Sequence, residues 1–219
     1  MKIESLYLVL NTDRPVEEDA TKLRGYIGNT FIRYPILHHH APELIYTYPK
    51  VQYKVIGGTP AILGIGEGVG VLREIAPQIN DLQLSNSHYS VRQRVQYEQA
   101  VNMVPIRDAV QYRFITPWIA LNQEHFERYL SLTEWADKKM LLNSILIGNI
   151  LSMAKGLDIV IDRELHVTTK VDQATVMFKG IKMIGFTGEF RVNYAIPEYF
   201  GIGKGVSAGF GTVKAARGE

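Results

Sequence analysis

The sequence predicts an α+β protein built from two tandem units of antiparallel sheet with helices on one face. The first observation is the order of the segments up to about residue 98, which alternate as β-α-β-β-α-β, the ferredoxin-like (RRM-like) order. The second is that strand, helices and strands then follow again, as a modified unit of the same kind. We therefore expect an N-terminal domain at 1–103 and a C-terminal domain at 104–219, and 219 residues suffice for two small domains.

The first elements are a strand, a helix and a loop. The apolar segment IESLYLVL at 3–10 is typical of a buried strand. Thr12 or Asp13 can cap the helix that follows. Its apolar stripe at helical spacing comprises Val16, Ala20, Leu23 and Ile27. Two prolines in FIRYPILHHHAPEL, residues 31–44, then predict a loop.

The remaining elements of the first half alternate in the same way. Alternation of polar and apolar residues predicts a strand at 45–56, and the glycines of GGTP predict a turn. The later segments are a short strand at 61–66, a helix at 67–79 and a hairpin or bent strand at 81–98.

The second half begins with a strand and continues with two helices. The strand is VQYRFITPWIA, residues 110–120. Helices are predicted at about 123–130 and 134–155, and Gly156 is placed to end the second one. Strands at 159–171, 174–195 and 210–216 complete the unit.

Composition restricts the type of protein. The chain has no cysteine, which excludes disulfides and thiolate metal sites and favours a cytoplasmic location. Its apolar runs are too short for a signal peptide or a membrane-spanning helix, so we expect no membrane partner. A net charge of +2 permits an anionic partner without requiring one.

Two glycine-rich segments could bind phosphate groups. GIGEGVG at 64–70 lacks the spacing of a dinucleotide fingerprint and is predicted to be a turn into a helix. GIGKGVSAGFG at 201–211 is not a P-loop, because Gly205 stands where that motif requires Ser or Thr. We expect its backbone N–H groups to be exposed to an RNA backbone, although a glycine-rich hairpin would need no ligand. The predicted RNA contacts of this region are Gly201, Gly203, Lys204, Gly205, Gly209, Gly211 and Lys214.

Polar and aromatic side chains alternate along two of the predicted strands. In an extended strand, alternate side chains share a face. One face thus carries Tyr46, Tyr48, Lys50, Gln52 and Lys54, and a second strand adds Arg92 and Arg94. Aromatic rings that stack on bases and cations that bind phosphates on one sheet surface are typical of RNA binding. The alternative is the solvated outer face of a half-buried sheet.

Three consecutive histidines, residues 38–40, are the strongest candidates for catalysis. Paired imidazoles can supply a general base and a general acid near neutral pH. RNA cleavage by its own 2′-hydroxyl needs that pair and no metal. In an extended segment, His38 and His40 would point the same way. A metal site that includes nearby Glu43 and a passive exposed loop remain alternatives.

Several of these motifs resemble a known family. The spacing Gly-Ile-Gly, five residues, Gly-Phe-Gly is similar to the C-terminal glycine-rich loop of the RAMP superfamily of RNA-binding proteins. The segment 37–68, with its His-x-His pair, Tyr-x-Tyr-Pro and VQYKVI, resembles the Cas6 endoribonucleases of CRISPR systems, in particular the Cas6b type. LRGYIGN at 23–29 fits the first helix of that family.

The resemblance implies a function and site residues. It implies a metal-independent endoribonuclease without cofactor, which cleaves CRISPR repeat RNA (pre-crRNA) to mature crRNA with a 2′,3′-cyclic phosphate and a 5′-hydroxyl. His38 and His40 would form the acid–base pair, and Tyr46 would assist, with Tyr48 as the alternative. A homodimer and association with other Cas proteins of a type I effector complex are further expectations. The competing hypotheses are a non-catalytic RAMP-type RNA-binding protein and a histidine-ligated metalloenzyme.

Overall fold

The computed structural model describes residues 2–38 and 48–216. The strands in these ranges are β1 (Lys2–Thr12), β2 (Val51–Ile56), β3 (Thr59–Ile65), β4 (Asp81–Leu84), β5 (Ser87–Asn102), β6 (Pro105–Trp118), β7 (Val167–Phe178), β8 (Ile181–Tyr194) and β9 (Val213–Ala215). The helices are α1 (Ala20–Thr30), α2 (Glu67–Ile75), α3 (Gln123–Ser131) and α4 (Trp135–Gly156). Short 3-10 helices cover Pro35–Leu37, Ala76–Gln78 and Val206–Ala208.

The described residues divide into two compact units. The N-terminal unit comprises residues 2–102 together with 206–209, and the C-terminal unit comprises 103–205 and 210–216. Four residues of the glycine-rich segment therefore belong with the N-terminal unit. Both units have an antiparallel sheet with helices, which confirms the α+β class with two tandem ferredoxin-like units.

The sheet of the N-terminal unit has the strand order β2-β3-β1-β5-β4. Alternate residues of β1 point towards α1 and α2, because Leu6, Leu8 and Leu10 belong to the same buried cluster as the apolar faces of those helices. The helices contribute Leu23, Ile27, Val69, Leu72 and Ile75 to this core. The segment predicted as a hairpin or bent strand is the hairpin of β4 and β5.

Helix α1 begins later than the sequence predicted. Thr12 still belongs to β1, and the Asp19 carboxylate accepts hydrogen bonds from the backbone N–H groups of Thr21 and Lys22, at 2.9 and 3.1 Å. Asp19 is thus the N-cap. Val16 remains buried, but its backbone N–H donates to Gly58 instead of entering the helix. The prediction of a cap at Thr12 or Asp13 is wrong.

The C-terminal unit has the strand order β7-β8-β6-β9. Its core contains stacked aromatic rings on β6 and β8: the ring centroids of Phe114 and Trp118 are 5.3 Å apart, and those of Phe114 and Phe190 are 4.9 Å apart. Helix α4 contacts β7, where the Asn143 side chain accepts hydrogen bonds from the backbone N–H and hydroxyl of Thr169. This buried bond fixes α4 against the sheet.

Several elements of the C-terminal unit differ from the prediction: β6 already begins at Pro105, and the strand predicted at 174–195 comprises the end of β7, a turn and β8. Strand β7 starts at Val167, so residues 159–166 of the predicted strand are not part of the sheet. Helix α4 does end at Gly156, but the left-handed residue after it is Asp158, with φ at 57°. No helix in the described part of the chain is long and apolar enough to cross a membrane.

Candidate active site

Only one of the three consecutive histidines lies within the described residues. His38 follows the 3-10 helix Pro35–Leu37, and its backbone N–H donates to the Pro35 carbonyl at 3.0 Å. His39, His40 and Tyr46 lie outside the described residues, so their predicted roles remain predictions. His38 is half-buried, and the site is built from its surroundings.

The His38 ring lies against helix α1. A Cβ atom placed on Gly28 would be 3.0 Å from Nδ1 of His38, which is closer than nearly all real contacts of a Cβ. The helix surface therefore accommodates the imidazole where a side chain is missing. Its Nε2 atom is buried and has no hydrogen-bond partner among the described residues. Such an atom in a native structure calls for a functional or structural explanation.

The backbone that leads to His38 is held from two sides. The Arg24 guanidinium on α1 donates from Nη2 to the His38 carbonyl at 2.7 Å and from Nη1 to the Ser207 hydroxyl at 3.3 Å. From β2, the Tyr53 hydroxyl donates to the Leu37 carbonyl at 3.0 Å. Burial raises the pKa of Tyr53 far above its ordinary value, so the phenol stays protonated and remains a donor.

Sequence reasoning did not identify Arg24 or Tyr53 as site residues. Arg24 belongs to LRGYIGN, the segment that resembles the first helix of the Cas6 family, so a signal was present. Tyr53 was assigned to the inward-packing face of its strand, and it is indeed almost fully buried. The carbonyl to which its hydroxyl donates is set by tertiary structure, so the sequence pattern could not predict it.

The polar side of β2 is not a solvated face. Gln52 and Lys54 are both fully buried, so the face that was expected to be open to RNA, or alternatively to solvent, is closed at these two residues. The Lys54 ammonium nitrogen lies 3.3 Å from Oε1 of Gln52, and the Gln52 amide donates to the Pro49 carbonyl at 3.3 Å. Burial lowers the pKa of Lys54 from 10.5 to about 7. Tyr48 and Lys50 are half-buried.

The 3-10 helix Val206–Ala208 packs against β2, an edge strand of its sheet. A Cβ atom on Gly209 would lie 2.9 Å from the Tyr53 carbonyl oxygen and 3.6 Å from the Lys54 Cα. Part of the glycine-rich segment thus covers the edge of the strand that carries Lys54.

Arg92 and Arg94 do not extend the polar face of β2. Arg94 pairs across the sheet with Leu10, which points towards the helices, whereas Lys54 points to the opposite face. The register of β1 and β5 shifts next to Arg92, and this bulge breaks the alternation that the prediction assumed. Arg94 donates to the Ile79 carbonyl at 2.8 Å and to the Asn80 side chain. The prediction of one common surface is wrong, although Arg92 itself is exposed.

Several backbone N–H groups that the glycine-rich segment was expected to expose are used inside the protein. Ile202 donates to Gly211, Lys204 to Ile119, Phe210 to Gly205 and Gly211 to Pro117. For these four groups, the prediction of an exposed row of donors is wrong. Gly201, Gly209 and Gly211 are buried, whereas Gly203 and Gly205 are half-buried.

Close packing explains two of the glycines without any ligand. A Cβ on Gly211 would lie 1.9 Å from the Ile202 carbonyl oxygen, and one on Gly203 would lie 2.6 Å from the Trp118 indole nitrogen. Both residues also have a positive φ, 64° and 93°. The turn therefore needs glycine at both positions for its own structure. Contact with RNA at these glycines remains a prediction.

Two lysines flank the turn in different environments. Lys204 is exposed, and its ammonium donates to the Leu121 carbonyl at 3.4 Å. Lys214 is half-buried, lies 5.4 Å from the centre of the Tyr199 ring and donates to the hydroxyl of that residue at 3.3 Å. Lys204 is thus the more accessible cation. Within residues 2–38 and 48–216, no three histidine or acidic side chains converge to hold a metal ion.

Comparison with known families covers both units. The family described as the Cas6b N-terminal domain matches residues 1–102, and the Cas6b C-terminal domain matches residues 105–216. A solved structure described as the crystal structure of Cas6b is 35% identical over 99% of this chain and all of that one, with a TM-score of 0.89. This chain belongs to the Cas6b family. The resemblance found in the sequence is thereby confirmed.

Two further proteins are similar to most of this chain. A structure described as the CRISPR RNA processing endoribonuclease Cas6b is 32% identical over 99% of this chain and all of that one, with a TM-score of 0.80. A protein of Methanocaldococcus jannaschii described as uncharacterized protein MJ0978 is 44% identical over 147 residues, which is 64% of this chain and 95% of that protein. The similarity to Cas6b structures extends over both units.

Proposed function

We propose that this Cas6b protein is an endoribonuclease that cleaves CRISPR repeat RNA to mature crRNA. The observation that carries the proposal is the full-length similarity, at 32% identity, to a protein described as a CRISPR RNA processing endoribonuclease. The surroundings of His38 support it, because a buried imidazole nitrogen without a partner among the described residues lies in the segment that resembles the histidine motif of the family.

The proposed reaction is attack by the 2′-hydroxyl on the adjacent phosphorus. A general base removes the 2′-hydroxyl proton as the O2′–P bond forms. The P–O5′ bond breaks, and a general acid protonates the departing 5′-oxygen. The products are a 2′,3′-cyclic phosphate and a 5′-hydroxyl. Since the substrate supplies the nucleophile and side chains move the protons, this reaction needs no metal.

His38 and His40 are the proposed acid–base pair, and Tyr46, or alternatively Tyr48, would orient the scissile phosphate or the 2′-hydroxyl. The carbonyl of His38 is bound by Arg24 and the preceding carbonyl by Tyr53, which restricts the position of its main chain. Restricted groups lose little entropy on reaching the transition state, and this favours a catalytic role.

Exposed and half-buried cations are the proposed contacts to the RNA backbone. Lys204 and Arg92 are exposed, and Lys50 and Lys214 are half-buried within reach of the surface. Such contacts give affinity that depends on salt and little on sequence. A homodimer or a complex with other Cas proteins would enlarge the surface available to the repeat, and we propose both as partners.

The test is cleavage of candidate repeat RNA in excess EDTA. We expect cleavage with a cyclic phosphate at the new 3′ end, and we expect a repeat with one 2′-deoxy nucleotide at the cut site to bind but stay intact. Cleavage of the deoxy substrate contradicts the mechanism. Activity that is lost in EDTA and restored by a divalent ion favours the histidine-ligated metalloenzyme. Binding without cleavage of any repeat favours the non-catalytic RNA-binding protein.

A further inference from the structure

Arg24 is bonded in an unusual way for an arginine on a helix. The ion pairs among the described residues involve Arg14, Arg33, Arg73 and Arg113. No carboxylate in the described part of the chain lies within ion-pairing distance of Arg24. Its guanidinium instead donates to two neutral oxygens, the His38 carbonyl and the Ser207 hydroxyl. Hydrogen bonds from a charged donor are stronger than neutral ones, so the bond to His38 at 2.7 Å is a firm attachment.

Arg24 and Gly28, both on helix α1, hold His38 against the helix. The two residues are four positions apart and therefore lie on the same face of the helix. Arg24 holds the backbone of His38, while the surface over Gly28 receives its ring, with Nδ1 only 3.0 Å from the point that a Cβ atom would occupy. Because Nε2 has no partner among the described residues, no hydrogen bond from that part of the chain fixes the ring at this atom.

The same guanidinium connects the histidine segment to the glycine-rich segment. Ser207 belongs to the 3-10 helix Val206–Ala208, which packs against β2 and α1 within the N-terminal unit. Arg24 thus bonds to two segments that lie far apart in the sequence. His38 is 14 residues from Arg24, and Ser207 is 183 residues from it. A change at Ser207 would reach His38 through this one side chain.

We propose that Arg24 is a positioning residue for cleavage, which sets the place of His38 and couples it to the glycine-rich segment through Ser207. The inference rests on the proposed function, since it assigns to Arg24 the alignment of a proton-transfer group. A catalytic group has to lie within hydrogen-bond reach of its proton, and a displacement of about 1 Å can cost about 10²-fold in rate. Arg24 itself need not contact the RNA.

The experiment compares Arg24→Met and Arg24→Lys with the wild type. The single-turnover cleavage rate is measured with enzyme in excess over repeat RNA, together with the Kd for an uncleavable 2′-deoxy repeat and the melting temperature. We expect the rate of Arg24→Met to fall about 10- to 100-fold while the Kd changes less than about threefold. Arg24→Lys keeps one donor and should recover part of the rate.

Arg73→Met is the matched control. Arg73 is also a helical arginine, but it is half exposed and paired with the Glu98 carboxylate on the surface. Loss of such a pair changes little, so rate and affinity should stay at the wild-type values. Ser207→Ala should lower the rate less than Arg24→Met, and the Arg24→Met, Ser207→Ala double variant should be no slower than Arg24→Met alone, because the serine acts through the arginine.

The imidazole signals of the protein without RNA provide a second readout. In a two-bond ¹H–¹⁵N correlation spectrum, assigned with His38→Gln, we expect the His38 signals to shift in Arg24→Met and in Gly28→Ala and to stay in place in Arg73→Met. This measurement does not depend on cleavage. If Arg24→Met does not fold, Arg24→Lys and Gly28→Ala provide the rate and the spectrum.

The outcomes separate this inference from the proposed function. A wild type that cleaves no repeat RNA contradicts the proposed function, and the His38 signals then decide whether Arg24 positions His38. A wild type that cleaves, with Arg24→Met at the wild-type rate, overturns the positioning role alone. A Kd that weakens as much as the rate falls also overturns it, because Arg24 would then bind the RNA directly.

Discussion

The fully buried Lys54 should make the stability of the N-terminal unit depend on pH in a measurable way. Burial lowers the pKa of Lys54 in the folded protein from 10.5 to about 7. Between these two values the unfolded chain binds a proton that the folded chain lacks. The free energy of unfolding therefore rises as the pH rises from about 7 to about 10.5, and the penalty is fully present below pH 7.

The size of the effect follows from the same two values. Each unit of pKa shift corresponds to about 1.4 kcal/mol, so the shift of the Lys54 pKa from 10.5 to about 7 destabilises the folded protein by about 5 kcal/mol at pH 7. Lys54→Met removes the titrating group and keeps most of the volume. It also loses the hydrogen bond to Gln52 at 3.3 Å, worth about 1 kcal/mol. We expect the variant to be more stable than the wild type by up to about 4 kcal/mol at pH 7, and this advantage should vanish near pH 10, where the remaining penalty equals the lost hydrogen bond.

Urea denaturation of both proteins at several pH values between 6.5 and 10 measures the difference, because the other titrating groups are common to both. Lys22→Met is the matched control: Lys22 is exposed on α1, so its removal should leave the pH dependence as in the wild type. A stability difference between Lys54→Met and the wild type that does not change with pH would refute the reasoning. It would mean that Lys54 gains a compensating charge or water in the folded state.

Three further predictions concern the turn, the histidines and the exposed lysine. Gly211→Ala should destabilise the protein by more than about 2 kcal/mol, because its Cβ would collide with the Ile202 carbonyl and the residue has a positive φ. Gly148→Ala, on the open side of α4, should be neutral or stabilising, and equal melting temperatures of the two variants would contradict this prediction. His38→Ala and His40→Ala should each lower the single-turnover rate by about 10²-fold or more with little change in RNA affinity, and wild-type rates in both would place the site elsewhere. Lys204→Ala should weaken binding across RNA sequences and reduce the slope of log K against log salt by about one contact; an unchanged slope would show that this exposed lysine does not bind phosphate.

The fold could be predicted to a large extent from local patterns. Alternation predicted β2, helical spacing predicted α1, and Gly156 predicted the end of α4. Most errors occurred at the ends of elements, and the strand predicted at 174–195 proved to be parts of β7 and β8 with a turn between them. The cap of α1 is Asp19, and the segment before the helix is held away from a helical path by the bond of Val16 to Gly58 in the turn between β2 and β3. A contact between residues 42 positions apart leaves no signal in a local pattern.

The candidate site could be predicted in part. The sequence identified the histidine segment and the glycine-rich segment, because unusual residue types at regular spacing are visible without coordinates. It did not reveal that Arg24 links them, since that link joins residues 14 and 183 positions apart. The prediction that Lys54 and Arg94 share one surface was wrong, because a bulge beside Arg92 changes the face to which the following residues point.

The sequence by itself determined the order of the elements, the family and the residue types available for RNA chemistry, because these depend on near neighbours in the chain. Tertiary structure alone decided which polar side chains are buried. Lys54 and Lys204 are indistinguishable as charges in the sequence, yet one is fully buried and the other is exposed. The difference arises because burial depends on which distant segments pack together, and a local sequence pattern does not contain that information. The pKa of a lysine follows that packing and not its neighbours in sequence.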